Sequence, residues 1–339
     1  MAKIVLGIGS SHTPTIMTPP ERWVDLAEQQ KASRVLLSHR KDGSVVPYQV
    51  LLEEAGDRFD GMVGLEQFRE KHQRMNAAVA ELNRTLKEAR PDVVVVFSDD
   101  QDEILFEDNM PTFCIYWGET FHQRYHRTQD GGEELEMDVP CDPVLGKHMI
   151  EFLVEREFDV SHMRYMKEAY GGSIGPAGYV GWKRETPVRP RGIGHGFTYV
   201  VSKLMDNKPV PIVPIMQNTC YPPNQPTPRR SFSLGRAVRD AIEAWDNDKR
   251  VAVIGSGGLS HFVLNEELDR LVLQGMKEKN AELLCSLPRQ QLQSASSEIL
   301  NWVATAGAAD HLDMEILDYV PTPRTLAGTG GGWGFARWT

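Results

Sequence analysis

Short apolar segments rich in Val and Ile alternate with longer amphipathic segments along this chain. Continuous apolar runs bounded by Gly, Pro or Asp are typical of strands that are buried on both faces of a sheet covered by helices. The runs that predict strands are at 3–9, 92–98, 112–118, 210–216 and 251–257. The amphipathic segments predict helices at about 22–40, 65–89, 143–157, 231–246, 264–285 and 295–307.

This alternation predicts the α/β class, with a central, mostly parallel sheet flanked by helices. We expect residues 1–339 to form one large domain that carries a helical insert at about 20–90. Two irregular segments, about 123–142 and 170–198, are rich in Gly, Pro and charge. Loops this long in a compact domain are usually functional, so we expect long active-site loops. The Gly-rich segment 327–338 predicts either a mobile tail or a segment that wraps a substrate.

Charge and composition exclude several classes of protein. The 37 Lys and Arg residues are outnumbered by 47 Asp and Glu residues, and the net charge of −10 argues against nucleic acid as a partner. The sequence has neither a secretory signal nor the roughly 20 apolar residues of a membrane span, so we expect no membrane partner. The four cysteines are scattered without a CxxC pair, which indicates reduced thiols in a cytoplasmic protein. A homo-oligomer is expected, since most oligomers are of that kind.

Polar residues follow two of the predicted strands at once. His12 lies in GSSHTP after the first strand, and Asp99, Asp100 and Gln101 follow the strand VVVVFS. In α/β sheets, ligands and metals bind at the carboxyl ends of strands, so these side chains are candidate metal ligands. Two structural interpretations stay open at this point. The histidine could be satisfied by backbone groups, and the aspartates could cap the next helix.

Two further histidines are candidates for acid–base chemistry. His261 follows the glycine turn of VIGSGGLSH, which lets the backbone come close to a ligand. His195 lies between glycines in RGIGHGF, where an exposed histidine without a role is the alternative. Histidine suits proton transfer because its pKa lies near neutrality.

Several segments, in order, resemble the class III extradiol ring-cleavage dioxygenases, and most closely the catalytic β subunit of protocatechuate 4,5-dioxygenase. They are GSSHTP, the run PDVVVVFSDDQDEILFEDNMPTF, the YPP turn and helix at 220–243, GSGGLSH and SASSEILNW. The likeness implies a non-haem Fe(II) held by His12, Glu298 and the residue at position 101. It also implies that His261 is the catalytic acid and base, that His195 contacts the substrate, and that a small aromatic catechol and O2 react.

The sequence departs from this family at Gln101, where the family has its second histidine ligand. Three interpretations stay open: Gln101 coordinates weakly, Asp99 or Asp100 supplies a carboxylate instead, or the metal and the chemistry have changed. If a carboxylate replaces the histidine, Mn(II) is the alternative metal, because a site with one histidine and two carboxylates is harder and more anionic and suits Mn(II) better. The leading prediction is an oxidoreductase that cleaves a catechol-like ring with O2. The alternatives are a metal-dependent enzyme that cleaves carbon–carbon bonds or hydrolyses without O2, and a non-catalytic binding protein.

Overall fold

The structure, a computed structural model, describes residues 1–32, 38–40, 42–101, 103–106, 109–125, 135–166 and 192–339. In this part of the chain the strands are β1 (Lys3–Ser10), β2 (Ser38–His39), β3 (Val45–Val46), β4 (Val93–Asp99), β5 (Phe113–Tyr116), β6 (Thr120–Tyr125), β7 (Leu135–Pro140), β8 (Ser161–Met163), β9 (Ile212–Gln217), β10 (Arg250–Ser256), β11 (His261–Val263), β12 (Met314–Pro323) and β13 (Thr329–Trp338). The α-helices are α1 (Pro20–Ala32), α2 (Tyr48–Ala55), α3 (Leu65–Ala89), α4 (Pro143–Glu155), α5 (His195–Tyr199), α6 (Pro228–Ala244), α7 (Glu266–Lys277), α8 (Ala281–Cys285) and α9 (Ile299–Ala308). Short 3-10 turns include Pro14–Met17 and Ser294–Glu298.

A nine-stranded sheet forms the centre of the molecule, in the order β11-β13-β1-β10-β4-β9-β5-β8, with β12 paired to β13. Its middle strands β1, β10, β4 and β9 are mutually parallel. Antiparallel pairs flank them, β13 beside β1 and β5 beside β9. All five strands predicted from apolar runs are in this sheet, and the predicted α/β class is confirmed.

Both faces of the middle strands are buried, which explains their continuous apolar sequences. Along β4, Val93 and Val95 belong to the core that includes α4, α6 and α9. Val94 and Val96 belong to the opposite core, which includes α3. Successive strand residues point to opposite faces, so each helix layer receives alternate side chains of the same strand.

Helix α3 is the long helix of the segment that we expected to be a helical insert. Its buried stripe includes Met75, Val79, Leu82 and Leu86, which is the periodicity that predicted it. Helices α1 and α2 and the short hairpin β2–β3 precede it within the same segment.

Two predicted helices are wrong in their bounds. The helix predicted at 22–40 ends at Ala32 as α1, and residues 33–37 lie outside the described residues. Beyond them Asp42 and Gly43 form a hairpin turn, in which Gly43 has a φ of 81° and the Asp42 carboxylate accepts the Ser44 amide. The helix predicted at 264–285 is divided into α7 and α8, because Asn280 caps a new helix by accepting the Leu283 amide.

The Gly-rich segment 327–338 was predicted to be either a mobile tail or a segment that wraps a substrate. Both predictions are wrong. It forms β13, which is almost entirely buried and pairs with β1, β11 and β12. Glycine is needed here because side chains pack directly on the backbone: a Cβ on Gly332 would lie 1.9 Å from Asp269 Oδ2. The predicted loop at 123–142 likewise contains residues of two paired strands, β6 and β7. Residues 126–134 of this loop, and residues 170–191 of the predicted loop at 170–198, lie outside the described residues.

The parallel strands bring three chain segments to one edge of the sheet. Ser10 at the end of β1 is paired with Ser256 at the end of β10, and β4 ends beside them at Asp99. His12, Gln101 and the glycine turn before His261 therefore leave the sheet at neighbouring points. No helix in the described ranges is long and apolar enough to span a membrane.

Candidate active site

His12 is held with one ring nitrogen aimed into a buried site. Its Nδ1 lies 3.0 Å from Ser256 Oγ, and its Nε2 lies 3.3 Å from Glu298 Oε2. Ser256 donates its hydroxyl hydrogen to Gly196 O at 2.8 Å, so its oxygen accepts from His12 Nδ1–H. This arrangement leaves the lone pair on Nε2, a buried atom that has no hydrogen-bond partner.

Glu298 lies at the centre of the site, at the end of the 3-10 turn that leads into α9. Its Oε2 accepts the Gly258 amide at 2.5 Å, and its Oε1 lies 3.3 Å from His261 Nε2. Burial by itself would raise the pKa of Glu298, but electrostatic interaction with the neighbouring rings of His261 and then His12 outweighs it and holds that pKa well below its usual range. The carboxylate therefore stays ionised although it is buried.

Asp99 and Gln101 lie together beside Glu298. The Gln101 amide donates from Nε2 to Asp99 Oδ2 at 2.9 Å and to Glu298 Oε1 at 3.0 Å. Asn301 Nδ2 donates to the other Asp99 oxygen at 3.0 Å. Burial, followed by the charge of Glu298, raises the pKa of Asp99. Two carboxylates are thus held close to each other, with an amide between them.

Asp100 points away from this site and stabilises the loop after β4. Its carboxylate accepts the backbone amides of Glu103, Ile104 and Leu105, each at 3.0 Å. Of the two aspartates that the sequence left open as ligands, Asp99 is therefore the one that faces His12 and Glu298.

His261 contacts the opposite side of Glu298 from His12. Its Nδ1–H donates to the carbonyl of Leu259 at 2.8 Å, and this fixes the tautomer with the lone pair on Nε2. The Ser296 hydroxyl accepts the His261 amide at 2.8 Å, which anchors the backbone. Burial would lower the pKa of His261, but the Glu298 carboxylate raises it overall. His261 therefore offers a basic nitrogen at the edge of the site.

His195 is the fourth predicted residue at the site, and it comes with a partner that the sequence did not reveal. The buried carboxylate of Glu103 accepts both the backbone amide and Nδ1–H of His195, at 2.7 and 3.0 Å. Burial would lower the pKa of His195, but the Glu103 charge and hydrogen bond raise it to about 10. The His195 ring meets the His12 ring edge to face, with centroids 4.6 Å apart. Glu103 belongs to the acidic run SDDQDE, whose composition alone is typical of a solvated loop.

The donor groups of the site suit a divalent metal ion. His12, Asp99 and Glu298 are buried, and each offers one ligand atom within 4.8 Å of the other two. An unpaired imidazole nitrogen directed at a carboxylate oxygen is unfavourable in a buried site, unless a cation or a proton lies between them. A metal held by histidine and carboxylates fits these residues.

A cavity of about 530 Å³ opens beside His261 and Ser296. The segment around α2 also lines this cavity, through the apolar residues Leu51 and Phe59 and the basic residues Arg40 and Arg58. Its volume is in the range of small-molecule sites. Because His261 lines the cavity and also contacts Glu298, it connects this space to the buried group of His12, Asp99 and Glu298.

Comparison with known proteins places the chain in a family. The family model described as "Catalytic LigB subunit of aromatic ring-opening dioxygenase" matches residues 61–330, a range that contains Gln101, His195, His261 and Glu298. A 2,3-dihydroxyphenylpropionate/2,3-dihydroxicinnamic acid 1,2-dioxygenase of Photorhabdus laumondii is 30% identical over 194 residues, or 57% of this chain and 49% of that protein. The gallate dioxygenase of Pseudomonas putida is 40% identical over 141 residues, or 40% of this chain and 34% of that protein.

The matched region therefore spans about half, or less, of the length of these curated relatives. A solved structure of an uncharacterized protein from Escherichia coli K12 has a TM-score of 0.43 and 13% identity, covering 78% of this chain and 91% of that chain, a likeness too distant to add to the family match. The family model covers well over half of the chain. This protein therefore belongs to the family of catalytic LigB subunits of aromatic ring-opening dioxygenases.

Proposed function

We propose that this protein is a metal-dependent oxidoreductase that opens a catechol-like aromatic ring with O2, beside the ring hydroxyls. The observation that carries the proposal is the position of the Glu298 carboxylate between two imidazole nitrogens, His12 Nε2 and His261 Nε2, each 3.3 Å away. One of these nitrogens is buried without a hydrogen-bond partner, as a metal ligand would be. The other borders a cavity that can hold a small aromatic molecule.

The proposed metal, Fe(II) or alternatively Mn(II), is held by His12, Glu298 and a third ligand from the pair Asp99 and Gln101. When bound, such a metal supplies a site for both catechol oxygens and for O2, and it conducts electrons from the ring to O2. Both oxygen atoms end in the ring-opened product, so the reaction needs no other reductant.

His261 is the proposed acid and base. Because Nδ1–H is occupied by Leu259 O, Nε2 can accept the proton of a substrate hydroxyl and return it later to an oxygen of the product. His195 contributes differently. Its hydrogen bond to the buried Glu103 carboxylate favours the protonated ring, and we expect this ring to stabilise negative charge on a bound substrate.

The proposal also covers the route of the substrate, the domain organisation and the oligomeric state. A small aromatic substrate enters through the cavity beside His261, which the segment around α2 also lines. The described part of the chain supports a single catalytic domain, since both helix layers pack on one central sheet. We expect a cytoplasmic homo-oligomer, and analytical ultracentrifugation measures its state.

The test is an oxygen-electrode screen of the anaerobically purified protein, loaded with Fe(II) or Mn(II), against catechols that differ in their ring substituents. We expect O2 uptake that requires both metal and catechol and that matches the ring-opened product one to one. A chelator-treated sample is the control.

Two results would contradict the proposal in different ways. Turnover of an aromatic substrate under strict anaerobiosis would indicate the non-oxidative enzyme. Ligand binding without turnover, in the presence of metal and O2, would indicate a binding protein.

A further inference from the structure

Gln101 stands at the chain position where a second histidine ligand was expected. Its side chain, however, directs the amide nitrogen, which cannot bind a metal, towards the two carboxylates of the site. Nε2 donates to Asp99 Oδ2 at 2.9 Å and to Glu298 Oε1 at 3.0 Å. Both acceptors are carboxylates, so the amide must present its NH2 group to them. An amide nitrogen that donates two hydrogen bonds has no lone pair to offer a metal.

Asp99 is the residue that can act as the third ligand instead of Gln101. It is fully buried at the end of β4, and one of its carboxylate oxygens lies within 4.8 Å of a His12 ring nitrogen and of a Glu298 carboxylate oxygen. Ligand bonds of about 2.1 Å put two donors of one ion at most about 4.2 Å apart, so shifts of about half an ångström would close the three around an ion. The second, independent observation is His12 Nε2, which is buried, unpaired and directed into the same point.

The Asp99 carboxylate is also positioned as a ligand carboxylate commonly is. Asn301 Nδ2 donates to Oδ1 at 3.0 Å, and Asn301 is itself held by Gln217 at 2.9 Å. Hydrogen bonds of this kind orient metal-ligating carboxylates and increase metal affinity.

Building on the proposed function, we infer that the metal is bound by His12, Asp99 and Glu298, and that Gln101 holds the two ligand carboxylates in place through its amide. The set therefore has one imidazole and two carboxylates. Such a set is harder and more anionic than two imidazoles and one carboxylate, and it suits Mn(II).

The experiment measures Mn(II) affinity of the full-length chain by titration calorimetry and by the EPR signal of free Mn(II). Asp99→Asn should bind Mn(II) more than 100-fold more weakly than wild type. Gln101→Ala should bind about 10-fold more weakly, as expected for loss of a group that orients ligands. Asp92→Asn is the matched control, because it makes the same change just before β4, far from the site, at an exposed position. It should leave affinity unchanged.

The opposite pattern overturns the inference. If the Mn(II) affinity of Asp99→Asn stays within 10-fold of wild type while that of Gln101→Ala falls more than 100-fold, Gln101 is the ligand. Absence of Mn(II) binding by wild type also overturns the inference. Far-UV circular dichroism checks that each variant is folded. If Asp99→Asn does not fold, Asn301→Ala decides, since it removes a donor to Asp99: weaker Mn(II) binding supports the inference, and unchanged binding overturns it.

Oxygen uptake on the same preparations separates this inference from the proposed function. If Asp99→Asn fails to bind Mn(II) and wild type consumes no O2 with any catechol, the inferred ligand set is supported and the dioxygenase proposal is contradicted. Catechol-dependent O2 uptake by wild type, together with undiminished Mn(II) binding in Asp99→Asn, supports the dioxygenase proposal and contradicts the inferred ligand set.

Discussion

At the scale of single residues, Ser256 decides which nitrogen of His12 faces the site. Its hydroxyl hydrogen is donated to Gly196 O, and its oxygen receives His12 Nδ1–H. Without that acceptor, the neutral imidazole could carry its proton on Nε2, where it would block metal coordination.

We therefore expect Ser256→Ala to weaken metal affinity by about 10- to 100-fold, the usual effect of removing a group that orients a ligand. Ser98→Ala is the matched control: Ser98 is also buried, on the neighbouring strand, and it donates to the Ser256 carbonyl rather than to a ligand. Calorimetric titration with Mn(II) measures both. Equal affinities of the two variants would show that Ser256 does not control His12.

His261 should separate binding from turnover. It contacts Glu298 but is not among the inferred ligands, so His261→Ala should retain metal and substrate and lose about 10²- to 10⁴-fold in kcat, the usual contribution of an acid–base group. Metal content and steady-state kinetics are the measurements. Loss of the metal itself would mean that His261 is a ligand.

The residues of the site were predictable to the extent that they follow local signals. His12 and Asp99 each follow an apolar strand, and His261 follows a glycine turn; the structure brings them together because parallel strands end at one edge. Glu103 was not predictable. Its role depends on a contact with His195, 92 residues further along the chain, and an acidic loop sequence carries no sign of burial.

At the scale of elements, β13 shows why a strand can escape sequence analysis. Apolar side chains normally reveal a strand, but much of β13 is glycine, and its burial comes from groups that other elements place on its backbone. The strands β4 and β10 could be predicted because their own side chains form the two cores.

Gly332 gives a direct test of this packing. A Cβ there would meet the Asp269 carboxylate at 1.9 Å, whereas at Gly334 the closest atom is the flexible end of Leu259, at 3.0 Å. We expect Gly332→Ala to lower the free energy of unfolding by about 1–3 kcal/mol more than Gly334→Ala, in line with the cost of overpacking. Urea denaturation measures the difference. Equal losses would indicate that β13 adjusts freely.

At the scale of the whole molecule, Asp269 connects stability to pH. It is fully buried on α7 and accepts hydrogen bonds from Ser260 N, Ser260 Oγ and Tyr319 Oη, each at 2.7 Å. Burial raises its pKa to about 6, and the hydrogen bonds only partly oppose this. Between the pKa of the unfolded chain, about 3.9, and this value, the folded state binds more protons than the unfolded state.

The Asp269 contribution to stability is therefore largest at low pH and declines as the pH rises towards 6, above which it stays constant. The difference in free energy of unfolding between wild type and Asp269→Asn should shrink by about 2 kcal/mol from about pH 4.5 to pH 7, because the asparagine does not titrate. Chemical denaturation at a series of pH values gives this difference. A difference that does not vary with pH would mean that Asp269 titrates normally in the folded protein.

The position of β13 between β1 and β11 also has a consequence for how the protein is made. Its residues 329–338 pair with the strand that precedes His12 and with the strand that begins at His261. At about 5–20 residues per second, a ribosome needs roughly 15 to 65 seconds to go from His12 to β13. Throughout that time β1 lacks its antiparallel neighbour, so the backbone hydrogen-bonding groups along that edge are unpaired and open to other nascent chains. The inferred metal site is consequently complete only after the segment that carries Glu298 has been synthesised.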